Sequence, residues 1–400
     1  MKKKCPYCGE IIQIDALICR YCKSRLFTDN SDQQNKPIFS KPEHKCKPKQ
    51  KYIFLLFIII PIIIMIFPKG KKTEPISLIN GEISNLGLIG KFVFSFDGNI
   101  FLWENGMEKE KQITELITED ETGGWLGVAY IDPHISPDGK KVVFKYYQHN
   151  SESLFLMNSG GDSISEISPL GPMYDSIQWS KDSKKILFYM FWDTESDSAI
   201  SIYNVENGSI SELIPRNGEY GRLGNPTWSS DNQSILFECN WEICIMDLST
   251  KSVNLVTNEF SANNPDWSPL GDKISFNSDE LGSNTNQVYI MNSDGSDIIQ
   301  LTDNSFPSSY PNWSPDGNQL LITSNTKPYT SLALLNPYIP RSDFVIYEYS
   351  VNSSYKEHPL WSPDGKWILI DADHVYLFNQ AKNEIYVFCN ECGFPSWSER

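Results

Sequence analysis

Hydrophobic and polar positions fall into three regimes along the chain. From residue 91 onward, short apolar runs such as 141–144, 185–188, 234–237, 273–276, 319–323 and 367–370 read as alternating strands, and clusters of Pro, Asp, Asn and Gly separate them. Period-two alternation broken by turn residues predicts antiparallel strands, and no helical period is sustained there. Residues 52–67 read YIFLLFIIIPIIIMIF, apolar on every side of a helix. Residues 27–51 are polar, rich in lysine and carry Pro37, Pro42 and Pro48, which predicts a disordered linker.

The alternation is itself repeated. An aromatic or aliphatic residue, then Ser, then a turn recurs as HISPDGKK at 134–141, QWSKDSKK at 178–185, TWSSDNQS at 227–234, DWSPLGDK at 266–273, NWSPDGNQ at 312–319, LWSPDGKW at 360–367 and SWSER at 396–400. The anchors Ile135, Trp179, Trp228, Trp267, Trp313, Trp361 and Trp397 stand 44, 49, 39, 46, 48 and 36 residues apart. That is the length of a four-stranded propeller blade. Within each interval a second strand follows (154–157, 200–204, 243–247, 288–292, 331–336, 375–379), then a tight turn and an outer strand. Seven anchors predict seven blades, with each tryptophan packed between neighbouring sheets. The first repeat, at 91–95 and 100–103, has no phrase ahead of it, while the last phrase stands alone at the C-terminus. A strand from 394–398 is therefore expected to complete the first blade and close the ring, leaving no open sheet edge.

Laid out this way, residues 91–400 resemble the TolB-like propellers, whose repeat carries a WSPDGk phrase, an apolar strand, an "iyvMnsDG" strand and turn, and an "iiqLT" strand. Residues 264–302, NPDWSPLGDKISFNSDELGSNTNQVYIMNSDGSDIIQLT, match nearly throughout. The resemblance implies an all-β, seven-bladed propeller occupying 73–400. It is specific for fold and weak for function, since the family includes interaction proteins of the cell envelope, substrate-gating propellers of prolyl-oligopeptidase-type peptidases and many exported proteins.

Charge divides the chain at the apolar run. Residues 1–72 carry 13 Lys and 2 Arg against 5 acids, which leaves 19 bases against 45 acids for residues 73–400. At ~1.5 Å per residue the run spans about 24 Å, and flanking Lys51 and Lys69 can snorkel to close the gap to a bilayer core of roughly 30 Å. It reads as one transmembrane helix, 52–67, against the alternatives of a buried core helix or a hairpin about Pro61 on the inner leaflet. More lysines precede the run than follow it, so the N-terminus is expected in the cytoplasm and the propeller outside, in a single-pass protein of the cell membrane. The acidic balance of 73–400 repels nucleic acid and anionic lipid.

Cys5, Cys8, Cys19 and Cys22 form two C-x2-C knuckles ten residues apart. Four soft thiolates so spaced suit one tetrahedral, structural Zn²⁺, and the few apolar residues between them cannot make a core without it. Residues 4–26 resemble the short zinc-ribbon modules, and the unit is bounded at 1–26. Two disulfides are the competing reading, at odds with a cytoplasmic placement.

Outside the membrane the chain lacks G-x-S-x-G, H-E-x-x-H and Walker-type motifs, so an enzyme is not expected. The competing reading is a metal-dependent lyase or hydrolase with a site in the central channel, near His134, Gln178, Asp266 and Asn312, which share one repeat position. Loop lengths favour binding. Connections between second and third strands and between blades emerge on one face, where they are long and irregular. Trp125, Trp192, Asp193, Tyr220, Arg222 and Tyr310 fall there and form the expected face for a protein partner of the cell envelope or a ligand. Cys239 with Cys244, and Cys389 with Cys392, are close enough in sequence to pair as disulfides, or to stay as buried thiols.

Overall fold

In the computed structural model, the described residues are 2–4, 11–13, 76–77, 83–116, 127–192, 197–216, 218, 220–257, 261–279, 286–302, 307–326, 329–339, 345–349, 359–371, 374–390 and 392–398. Each Ser-turn phrase is a built corner between two strands. The serine hydroxyls of 136, 180, 229, 314 and 362 donate to the aspartate two residues on at 2.6–2.7 Å. They also accept the N–H of the residue five positions on, at or just before the start of the next strand, at 2.9–3.0 Å. One hydroxyl thus orders both ends of the turn, and its hydrogen bond holds Asp231 and Asp316 below the usual carboxylate range.

Two strands on either side of that corner, a third and a short outer strand make each blade. Among the described residues the blades are 128–166, 173–214, 223–255, 262–300, 308–349, 360–390 and a seventh that joins 393–397 to 91–112, numbered 1 to 7 here. All seven are antiparallel meanders. The first strands, among them Val128–Ile135, Met173–Trp179 and Leu223–Trp228, neighbour one another around the ring and line the central channel.

Closure occurs as the repeat phase predicts. Gly393–Trp397 pairs with Lys91–Phe96 through Ser396↔Val93 and Trp397↔Phe92, so the chain's last strand is the innermost strand of blade 7, whose other strands open the repeat array. Seven apolar clusters each join two adjacent blades, such as Leu187, Tyr189 and Ile200 with Trp228, Ile235 and Phe237. Both faces of a blade are therefore buried, which is why the second strands read as near-continuous apolar runs.

The anchor tryptophans pack between sheets and also bond across them. Indole Nε1 of Trp179, Trp228, Trp313 and Trp361 donates to the backbone carbonyls of His134, Gln178, Asp266 and Asn312 on the preceding blade, at 2.9–3.4 Å. Trp397 donates to Ile89 at 2.9 Å. The exception is Trp267, whose buried Nε1 has no partner.

One feature has no counterpart in the repeat pattern. Ile76–Ser77 runs parallel to Glu384–Asn390, pairing Ile76 with Tyr386, and gives blade 6 a fifth strand. At the N-terminus, Lys2–Lys4 and Ile11–Gln13 form an antiparallel hairpin that brackets Cys5 and Cys8. The four expected zinc ligands, the linker and the run 52–67 lie outside the described residues, as do Trp125 and Asp193. Among the described residues no helix is long and apolar enough to cross a membrane.

Candidate binding face

Six of the seven channel-lining strands, all but Leu360–Trp361 of blade 6, carry the same irregularity among the described residues. Register shifts interrupt them between Ile131 and His134, Asp175 and Gln178, Gly224 and Thr227, Asn263 and Asp266, Ser309 and Asn312, and Gly393 and Ser396. Inside each bulge one residue is left-handed: Asp132, Ser176, Asn225, Asn264, Tyr310 and Phe394, with φ between 39° and 54°. A bulge re-aims a side chain, and Asn, Asp and Ser accept this conformation more readily than aromatic residues do.

These re-aimed side chains link the blades through a polar chain. Ser176 Oγ donates to Asn225 Oδ1 at 3.0 Å, and Asn225 Nδ2 donates to Asn264 Oδ1 at 3.0 Å. Glu238, 3% exposed, accepts from Asn225 Nδ2 at 2.6 Å and from the Asn264 N–H at 2.8 Å. On blade 1, Lys145 Nζ meets Asp132 at 2.8 Å and Glu152 at 4.0 Å, while His134 Nε2 lies 3.0 Å from Asp132. Burial works to raise the Asp132 carboxyl, yet Lys145 and His134 hold it well below the ordinary range. Burial works to lower the Lys145 ammonium, but Asp132 and Glu152 hold it above its ordinary value. Across the closure seam, Asp371 accepts the Phe394 N–H at 2.9 Å, and burial with the Asp132 charge pushes its carboxyl up to about 6.

Outward of this network, on the face with the irregular loops, two arginines stack on two tryptophans. The connection from blade 2 to blade 3 carries both. Arg216 lies 4.2 Å over Trp192, at the end of one second strand of blade 2, and forms a two-pronged ion pair with Asp197. Arg222 lies 4.4 Å over Trp241 and 3.4 Å from Glu238, so it joins the stack to the channel network. Tyr220, between them in sequence, is half-buried and meets Phe237 edge-on at 6.2 Å.

Trp241 is the side chain that sequence reading did not single out. It occupies a two-residue turn with Asn240, both left-handed at φ 69° and 51°, and is 53% exposed. A hairpin turn of this twist needs two such residues and ordinarily uses Asn and Gly, so a tryptophan there costs roughly 1 kcal/mol. The Cys239–Cys244 disulfide closes the base of that turn, and both sulfurs are packed in the apolar cluster of blades 2 and 3. The signal was available in FECNWEIC, where a cysteine pair flanks Asn-Trp. Cys389 and Cys392 are bonded as well, joining the end of blade 6 to the closing strand.

The structure thus brings together Trp192, Tyr220 and Arg222 of the expected face and adds Arg216, Asp197 and Trp241. Tyr310 stands apart, in the channel strand Ser308–Trp313 rather than in a loop. His134, Gln178, Asp266 and Asn312 do share one channel position, where each backbone carbonyl holds the next blade's tryptophan. Among the described residues no group of three or more His, Cys, Asp or Glu is arranged to hold a metal ion. The face offers flat apolar area, paired charge and a covalently fixed turn, which are the parts of a docking surface.

Comparison with known proteins agrees with this architecture. The family model described as the TolB beta propeller domain matches residues 176–398. Among solved structures, an oligogalacturonate lyase in complex with manganese aligns with TM-score 0.55 at 13% identity, covering 76% of this chain and 86% of that one. A puromycin-hydrolyzing peptidase of Mycobacterium tuberculosis aligns with TM-score 0.52 at 14% identity, covering 74% of this chain and 51% of that one. TolB from Acinetobacter baumannii aligns with TM-score 0.49 at 18% identity over 80% and 86%. The search of curated proteins finds no match. At these identities the likeness is one of fold.

Proposed function

This chain belongs to the TolB β-propeller family, and from that premise we propose that it is a membrane-anchored binding or sensing module rather than an enzyme. Its propeller works outside the membrane on a protein partner of the cell envelope, while a structural Zn²⁺ held by Cys5, Cys8, Cys19 and Cys22 folds a small cytoplasmic ribbon. The observation that carries the binding role is the Arg222–Trp241 stack on its disulfide-closed turn. Holding a large aromatic exposed, in an unfavourable backbone conformation and covalently fixed, adds nothing to the core and reduces what a partner must order on binding.

The ribbon reading is supported by the hairpin that brackets Cys5 and Cys8. Placement outside the membrane is supported by the two propeller disulfides, which persist in oxidising compartments. The lyase and the peptidase share only the fold, and their chemistry does not follow from it.

A photo-reactive phenylalanine at position 241 of the full chain tests the binding role. It should trap one discrete envelope protein that the same probe at exposed Ile164, on the opposite face, does not. Arg222→Ala should reduce that yield at least fivefold with little change in melting temperature. Equal yields at the two positions would end the proposal.

A further inference from the structure

The opposite face, which carries the formulaic turns, breaks its own formula in two places. After the phrase serine, the second residue is Asp138, Asp182, Asp231, Asp316 or Asp364 in five corners, but Leu270 in blade 4. The turn between third and outer strands is polar in Asn292-Ser-Asp-Gly, but reads Asn336-Pro-Tyr-Ile in blade 5. The two departures meet in space. Leu270 lies against Gly317, where a Cβ would approach Leu270 Cγ to 2.7 Å, and the Tyr338 hydroxyl donates to the Gly317 carbonyl at 3.3 Å. Leu270 and Tyr338, 58% and 44% exposed, thus meet over Gly317 across the junction of blades 4 and 5, and Ile339, 55% exposed, follows Tyr338 in the same turn and adds a third large apolar side chain.

Acids border this apolar patch. Asp272 accepts from Ser268 at 3.0 Å and Asp316 from Ser314 at 2.6 Å, and burial together with the charges of Asp272 and Asp316 raises the Tyr338 hydroxyl above its usual range. Two copies facing each other here would oppose like charges. Anionic lipid would be repelled likewise.

We propose that this patch is a second docking site, distinct from the Arg–Trp face, for a short polypeptide segment that seats an aliphatic or aromatic side chain among Leu270, Tyr338 and Ile339 and sets a Lys or Arg against Asp272 and Asp316. The apolar anchor supplies affinity, and the acids select the sign of the flanking charge.

Fluorescence anisotropy on the full chain in detergent micelles tests it, with a labelled decapeptide alternating leucine and lysine as probe. The wild type should bind it at least tenfold more tightly than peptides alternating leucine with glutamate or serine with lysine. Leu270→Asn with Ile339→Ser should remove that preference, while Leu255→Asn, equally exposed on the other face, should keep it. Melting temperatures of the variants check that each folds. Equal binding of the leucine–lysine and serine–lysine peptides, or an unchanged affinity in the double variant, would overturn the proposal. So would sedimentation showing that the wild type is a dimer and the double variant a monomer, because the occupant would then be a second copy.

Discussion

Asp266 shows what one channel position costs. It occupies the place held by His134, Gln178, Asn312 and Ser396 in other blades, and its Oδ2 accepts the Trp313 N–H at 3.1 Å. Burial pushes its carboxyl up to about 7, above an unfolded value near 3.8. The folded state therefore binds the proton more tightly than the unfolded state, and stability falls as pH rises from about 4 to about 7. Asp266→Asn keeps an acceptor for Trp313 and removes the charge. Its melting temperature should exceed the wild type's at pH 8, by the equivalent of up to about 2 kcal/mol, and the two should converge at pH 4. A gap independent of pH would show that the substitution acts through packing instead. The repeat fixes this position from sequence alone, whereas the burial that gives the carboxyl its character comes from neighbouring strands. Trp241 escaped notice for a similar reason. Exposure and left-handed φ are properties of a turn, and the flanking cysteines drew the reading to the disulfide.

At the scale of elements, alternation and the repeated phrase were sufficient to place the strands, the seven blades and the closing strand, because every one of them is specified many times over. The bulges were not legible, since inserting one residue in a strand leaves no periodic mark in a single copy. The parallel strand Ile76–Ser77 was missed because two residues carry no alternation at all. Closure can be tested through Trp397, whose ring packs at a tilt on Phe92 with 5.2 Å between ring centres and which donates to the Ile89 carbonyl. Trp397→Phe removes the hydrogen bond and the smaller part of the ring, keeps an aromatic contact with Phe92, and should cost about 1 kcal/mol. Trp397→Ala also removes the ring contact and should cost about 3 kcal/mol, lowering the melting temperature by roughly 4–5 °C for a unit of this size. Thermal denaturation of both variants should keep that order; equal losses would mean that the ring contact contributes nothing to the seam.

For the whole molecule, cysteine chemistry and charge point the same way. The two C-x2-C knuckles precede the apolar run, the two bonded pairs follow it, and the basic and acidic parts divide at the same place. An orientation with the N-terminus inside reconciles all three, since thiolates stay available to Zn²⁺ in a reducing compartment and disulfides persist in an oxidising one. Protease added to the outside of intact spheroplasts should therefore digest the propeller while sparing a short N-terminal fragment, and permeabilisation should expose that fragment too. Full-chain protein purified without chelator should carry about one zinc per chain, lost in Cys5→Ser with Cys8→Ser. A propeller protected in intact spheroplasts would instead place it in the cytoplasm, with the apolar run turning back about Pro61. In that event the same cysteines would be expected reduced, so a thiol-reactive probe applied under denaturing conditions would label Cys239, Cys244, Cys389 and Cys392 without prior reduction.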